Sequence, residues 1–235
     1  MTRLRMLAQL WSGEHHRRGI EAERTLRAPL PVIRRVAFAS LHGGTGCTTA
    51  ARAATSMLAA RRDRGVFFVD ATGHLMSSTP SRPDEVALLA PVWPGGIEKW
   101  REQSDPQYRD REITVTDWGA LGAAELTAVA AHSHVLCLTT GVERLAVQQA
   151  VDVAAALTAA GTPTLIVASA IRGRITAATK RMLASCPLPL VALPHDRHAG
   201  PSSVSVLAAS VLAASVLGAE IVRLSTAPRI AGSAA

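Results

Sequence analysis

The chain is 235 residues long, which suits one α/β domain with terminal extensions, and at 48% hydrophobic but only 3% aromatic its core is expected to be aliphatic with alanine-packed helices. The net charge is +7, but residues 1–35 hold eight arginines against Glu14, Glu21 and Glu23, so the basicity belongs to an N-terminal extension and not to the fold. Only two lysines occur, Lys99 and Lys180, and Cys47, Cys137 and Cys186 lie far apart, which excludes a reserve of lysines and any cysteine-based metal spacing. The same cysteine usage points to a reducing, cytosolic compartment. The broken apolar stretch at the N-terminus, with no small-residue cleavage site after it, is unlike a signal peptide.

In chain order, residues 1–31 read as a basic arm. Leu4, Leu7 and Trp11 fall at helical spacing, with Leu10 alongside and Arg3 and Arg5 between them. Such a stripe serves as a membrane-surface or partner-docking helix, here within residues 1–18, or is an arm packed on its own domain or a frayed terminus; the packed or frayed arm is favoured. Pro29 and Pro31 mark the start of a domain over 32–225. Val36 to Ala39 is the first strand and residues 40–47 a glycine-rich loop. Ala50, Ala54, Met57 and Leu58 stripe the next helix, whose end carries Arg61, Arg62 and Arg64 before Gly65. Val66 to Val69 is an apolar run of the kind buried on both faces of a sheet, closed by Asp70. Residues 71–112 are irregular, with five prolines, Gly95-Gly96, Trp93 and Trp100. A short helix near 84–90 is predicted there, and the stretch reads as a surface connection or a partner-binding insertion.

Ile113 to Thr116 is the third strand, ending in Asp117-Trp118-Gly119. An alanine-rich helix over 120–131 follows, then a strand Val135 to Leu138 with Thr139 and Thr140 at its end. Val147, Val151, Ala154 and Ala155 stripe a helix that stops at Gly161. Leu165 to Ala168 is a strand, followed by Ser169 and the basic turn Arg172 to Arg174; a helix over about 176–185 and a strand Leu190 to Leu193 complete the alternation. Strands alternating with helices predict a doubly wound, mostly parallel α/β sheet flanked by helices. Residues 201–224 contain three Ser-Val-Leu repeats, beginning at Ser205, Ser210 and Ser215, with no charge from Pro201 to Ala219. The serines, the alanines and the lack of aromatic girdles favour a buried or interface helix over a membrane span. The tail, 226–235, is expected to be disordered. The pairs His132/His134 and His195/His198 lack a third ligand nearby and read as loop and turn residues.

The chemistry concentrates in His42-Gly43-Gly44-Thr45-Gly46-Cys47-Thr48-Thr49. Strand, glycine-rich turn, helix is the context of a phosphate-binding loop. Gly43, Gly44 and Gly46 let backbone N–H groups turn inward on an anion, and the positive end of the following helix is aimed at the same point. The pattern G-x-x-x-x-G-K-[ST] has a lysine before the threonine pair; this chain has Cys47. A helix N-terminus favours a thiolate, but with no paired cysteine or adjacent base Cys47 reads as a small residue in the lysine's place.

These pieces, in this order, resemble the ParA/MinD family of P-loop ATPases. The family's loop is K-G-G-x-G-K-T-T after the first strand; the segment His42 to Thr49 is similar to it. Val69-Asp70-Ala71-Thr72 resembles the family's D-x-D segment, Asp117-Trp118-Gly119 the end of its third strand, and Cys137 to Thr140 a strand ending in two threonines. Leu193 to Asp196 resembles a late Pro-x-Asp turn near the base pocket, and the resemblance runs from about Val32 to Arg223. The lead-in Arg27 to Pro31 is similar to that of actinobacterial ParA-like proteins associated with type VII secretion. The resemblance implies ATP or ADP with Mg²⁺ as ligands, Thr48 on the ion with Asp70 or Asp117 behind it, and a homodimer or an active ATPase relative as partner. It also implies DNA binding of a non-specific kind at most.

The departures decide the expected activity. Cys47 and His42 replace the two loop lysines, and Thr72 replaces an acid that would orient water. Phosphoryl transfer rests on positioning and charge stabilisation, so most of the machinery is gone and no catalytic residue is assigned. The expectation is a cytoplasmic, membrane-peripheral pseudo-ATPase that binds or regulates within a positioning or secretion system. The alternatives are a slow Mg-ATPase borrowing Arg52 or Arg172, and a structural subunit anchored to a membrane or assembly.

Overall fold

The computed structural model describes residues 13–30, 33–63, 65–72, 87–89, 111–171, 175–194 and 204–226. Seven strands form one sheet: β1 (Arg34–Ser40), β2 (Val66–Asp70), β3 (Ala87–Leu89), β4 (Ile113–Ala120), β5 (Val135–Gly141), β6 (Thr164–Ser169) and β7 (Leu190–Leu193). Their order across the sheet is β3-β2-β4-β1-β5-β6-β7. Every pairing between them is parallel. The helices are α1 (Gly13–Leu26), α2 (Cys47–Ala59), α3 (Ala123–Ala131), α4 (Arg144–Ala159), α5 (Ala177–Ala184) and α6 (Val204–Thr226). This is the expected doubly wound α/β sheet.

The parallel sheet explains the apolar runs. Val36 and Phe38 face one layer, with Leu58, Ile113, Leu217 and Ile221. Ala37 and Ala39 face the other, with Leu126, Leu136, Leu138 and Ala154. Side chains alternate at period two, so a strand covered on both sides must be apolar throughout. Parallel strands also place all their carboxyl ends on one edge. Asp70 pairs with Asp117, Ser40 with Thr139, and Gly141 with Ser169, so the polar strand ends form one row. The ladder between β1 and β4 slips after Phe38, next to Gly119, whose φ of 67° is left-handed. That slip carries β4 on through Trp118 to Ala120, beyond the predicted end at Thr116.

Three features go beyond or depart from the sequence-based expectation. Residues 13–26, within the basic arm, form a helix packed on α6, with Ala22 and Leu26 buried. A Cβ at Gly218 would come within 2.8 Å of Leu26 Cδ2. The third Ser-Val-Leu repeat has glycine where the first two have alanine, and that is where Leu26 sits. Second, residues 87–89 are a strand where a short helix was predicted; they pair with β2, from Phe68↔Ala87 to Asp70↔Leu89, because that edge ladder needs a partner. Third, Arg62 does not decorate a helix end. It is buried, paired with Glu112 at 2.6 Å, and donates to the Ala28 carbonyl at 2.9 Å, tying the lead-in of the domain to β4.

α6 runs as one helix through the repeats and packs over α2 and β7. Among the described residues no helix is long and apolar enough to cross a membrane. The amphipathic stripe of residues 4–11, the basic turn 172–174, the late turn at His195 and Asp196, most of 73–110, and the tail from 227 lie outside the described residues. Because Leu26 is fully buried, Leu26→Ala should lower stability by about 2–4 kcal/mol in urea unfolding. An independent arm would leave the midpoint unchanged.

Candidate functional site

The loop between β1 and α2 is held open by its glycines. Gly44 and Gly46 have φ of 75° and 80°, and a Cβ at Gly43 or Gly44 would meet nothing within 4 Å. Gly46 caps α2 in the left-handed conformation with no side-chain hydrogen bond, and the first turn holds no acid. The helical ladder begins only at Ala50 N–H, which donates to the Gly46 carbonyl at 2.9 Å. The amides ahead of it are therefore left for an anion, as the helix dipole favours. The base of the loop is fixed by Ser40, whose hydroxyl donates to the His42 carbonyl at 2.9 Å. His42, Gly43, Gly44 and Thr49 are exposed, while Thr45 is buried with a hydroxyl that has no hydrogen-bond partner.

Cys47 does not face outward as a loop lysine would. Its buried thiol donates to Asp117 Oδ1 at 3.3 Å, which also accepts the Gly119 N–H at 3.1 Å. The Thr48 hydroxyl is directed at the same carboxylate. Burial pushes the Asp117 carboxyl above the usual carboxylate range; Thr48, Cys47 and Gly119 partly offset this, and the neighbouring Asp70 adds to it. Burial and then the Asp117 charge push the Cys47 thiol far up, so it stays protonated and is no nucleophile. Burial does the same to Cys137.

Asp70 is wholly buried and accepts at Oδ1 from the Thr72 amide at 2.8 Å and the Thr72 hydroxyl at 2.6 Å. Thr72 thus spends its hydroxyl on Asp70 and offers no acid of its own. Oδ2 of Asp70 and Oδ2 of Asp117 are both buried without a hydrogen-bond partner among the described residues. Orphaned carboxylate oxygens in register on adjacent strands suit a hydrated Mg²⁺, which keeps several waters and takes one or two carboxylates. Among the described residues no cluster of three or more His, Cys, Asp or Glu could hold a metal by itself. The ion would have to arrive with a ligand's phosphates. The residues thus fit phosphates through backbone geometry and fit Mg²⁺ through Thr48, Asp70 and Asp117, but they give the phosphates no fixed cation.

The structure places His42 to Thr49 at the turn from β1 into α2, with Asp70 and Asp117 at its side. It adds Thr139 and Ser169, which close the loop from behind. A Cβ at Gly46 would lie 3.5 Å from Ser169 Oγ. It also adds Glu143, at the N-cap of α4, and Gln149 within that helix, which line a cavity with His42 and Thr45. No motif singled out those two, because only the sheet register brings the end of β5 next to the loop.

No protein-family model matches the sequence, and no curated protein matches it. Solved structures do match the fold. The cell-division ATPase MinD of Pyrococcus furiosus is 16% identical, with 78% of this chain and 98% of that chain covered and a TM-score of 0.58. A putative plasmid partition protein of Borrelia burgdorferi bound to AMPPNP is 12% identical, covering 81% and 98%, with a TM-score of 0.57. A chain of the MinC:MinD cell division protein complex of Aquifex aeolicus is 14% identical, covering 78% and 93%, with a TM-score of 0.54. The chain has the doubly wound α/β fold of these proteins.

Two outcomes follow from the buried groups. In the native protein a thiol reagent should modify the partly exposed Cys186 and spare Cys47 and Cys137 until denaturant is added. Asp117→Asn should raise stability at neutral pH by on the order of 1 kcal/mol, since the amide keeps an acceptor oxygen and removes a buried charge. The native carboxyl titrates above its unfolded value, so wild-type stability falls as pH rises through that window. The gain from the variant should therefore be full above the raised native value, fade as pH falls through that window, and be gone once pH reaches the ordinary carboxylate range of about 4.

Proposed function

We propose that this chain is a degenerate ParA/MinD-type P-loop protein, a pseudo-ATPase that acts as a binding or regulatory subunit of a cytoplasmic positioning or secretion system. One observation carries the reading. The loop keeps its backbone cradle, yet the side chain at the lysine position, Cys47, turns back onto Asp117. Phosphoryl transfer needs a fixed cation where charge develops, and the Cys47 thiol, turned onto Asp117, supplies none. An anion held by amides and a helix dipole alone is held weakly.

Within this reading ATP or ADP, when bound, would lie with its phosphates over Gly43 to Thr48, and Mg²⁺ would supply charge neutralisation between Thr48 and the two aspartates. The chain's own residues orient and bind; Asp70, engaged by Thr72, activates no water. The partner is a protein, either a second copy or an active relative. Residues 1–18 would add contact with a membrane surface, or non-specific contact with DNA through their arginines.

A slow, genuine Mg-ATPase is the second reading, and the orphaned oxygens of Asp70 and Asp117 favour it. Titration of labelled ATP and ADP with Mg²⁺, followed by a hydrolysis assay, separates the two. Weak or no binding and no turnover are expected for the wild type. Cys47→Lys should then tighten binding by about 10-fold or more, the effect of one charge-assisted hydrogen bond. Wild-type turnover that Thr48→Ala abolishes would sink the pseudo-ATPase reading.

A further inference from the structure

α1 buries Ala22 and Leu26 and packs along α6. At about 100° per residue, the line opposite that buried face runs through Arg17, Ile20, Arg24 and Arg27. All four are exposed, Ile20 at 43%. The acids of this stretch lie to either side of the line, Glu21 on one flank and Glu23 on the other.

Glu23 is already engaged. Its Oε1 accepts from Arg27 Nε at 3.0 Å and from Arg27 Nη2 at 2.8 Å, and its Oε2 accepts from Arg61 Nε at 3.2 Å. One carboxylate thus holds two guanidinium groups, one from the end of α1 and one from just past the end of α2. Their sum is positive, and their places are fixed before anything binds, which lowers the ordering cost of an encounter. Four arginines therefore crowd one side of the molecule, with an exposed isoleucine among them.

The spacing narrows what such a surface fits. Positions 17, 20, 24 and 27 follow the three- and four-residue steps by which one helix presents side chains to another laid alongside it. A second copy of this chain would set arginine against arginine along that line, which is repulsive. A bilayer surface takes an apolar helix face, and here Ile20 stands alone among charges. A nucleic-acid backbone would leave Ile20 uncovered and bring phosphates against Glu21.

We propose that the outer face of α1, extended by Arg61, docks an acidic helix of a partner protein. Carboxylates on that helix, at three- and four-residue spacing, meet Arg17, Arg24, Arg27 and Arg61, and an apolar residue between them covers Ile20. The planar fork of arginine takes a carboxylate through two N–H groups at once. The phosphate loop opens at the other end of α2, a helix of 13 residues and so about 20 Å long. The inference goes beyond the pseudo-ATPase reading and stands whether or not nucleotide binds.

The test uses the full chain without nucleotide, followed by NMR through its amide resonances. The probe is a synthetic alanine-based helix carrying Glu-x-x-Leu-x-x-x-Glu-x-x-Glu, or the same pattern in reverse order. Saturable shifts confined to α1 and the neighbourhood of Arg61 are expected from one of the two. A peptide of the same composition with its glutamates and leucine in one consecutive run should bind at least about tenfold more weakly. Arg24→Glu should weaken the matched peptide at least about tenfold, and Arg24→Lys by less, both with an unchanged circular dichroism spectrum because Arg24 is exposed. Duplex DNA and phosphatidylglycerol vesicles at the same ionic strength should engage α1 more weakly than the peptide. Equal binding of the rearranged peptide, shifts confined to other surfaces, an unchanged affinity in Arg24→Glu, or tighter engagement of α1 by DNA or vesicles would each overturn the proposal.

Discussion

The carboxylate of Asp117 is the group on which the arrangement of the site depends. It sits at the carboxyl end of a central strand, fully buried, and gathers the Gly119 amide, the Cys47 thiol and the Thr48 hydroxyl around it. A buried charge needs partners, and here they are dipoles where an active P-loop protein would have an ammonium group close by. Cys47 satisfies one oxygen only in part, through a weak S–H donor. The other oxygen stays orphaned, as does that of Asp70 one strand away. The site therefore holds two buried carboxylates beside a glycine-rich loop whose sequence, His42 to Thr49, contains no lysine or arginine. This asymmetry is the physical basis for the proposal of weak anion binding without phosphoryl transfer.

The rest of the fold holds that arrangement rigid. The parallel register sets Asp70 beside Asp117 and Ser40 beside Thr139, and the ladder slip at Gly119 bends the chain so that its amide returns to Asp117. On the face of the sheet that α2 covers, α1 and α6 close the core, with Leu26 packed over Gly218. The Arg62–Glu112 pair, which also reaches the Ala28 carbonyl, locks the segment between α1 and β1 to the start of β4. A buried ion pair of this kind contributes little net stability, but removal of either partner leaves an unpaired charge. It thus fixes where β1 begins, and with it the place of the loop.

Much of this was legible in the residues. The apolar runs at 36–39, 66–69 and 165–168 announced strands buried on both faces, and the glycine-rich stretch with its following alanine-striped helix announced the loop between β1 and α2. Position 47 showed by identity alone that the lysine was missing. What composition misjudged were contacts between distant segments. The arginines of residues 17–27 marked a basic arm without showing which of its residues pack, and Ala22 and Leu26 on one of its faces are core. Ala87 to Leu89 was too short for its period to distinguish helix from strand, and an open sheet edge decided it.

Local sequence determined the alternation of strands and helices, the conformation of the loop and its lack of fixed positive charge, because φ/ψ preference, side-chain period and residue identity are properties of neighbours along the chain. Only the tertiary structure decided that Cys47 turns inward to Asp117, that Thr72 occupies Asp70, and that Thr45, Thr139 and Glu143 share a cavity. Those outcomes depend on strand register and on burial, which set the distances and the dielectric between residues up to about a hundred positions apart. Neither quantity exists until the sheet has formed.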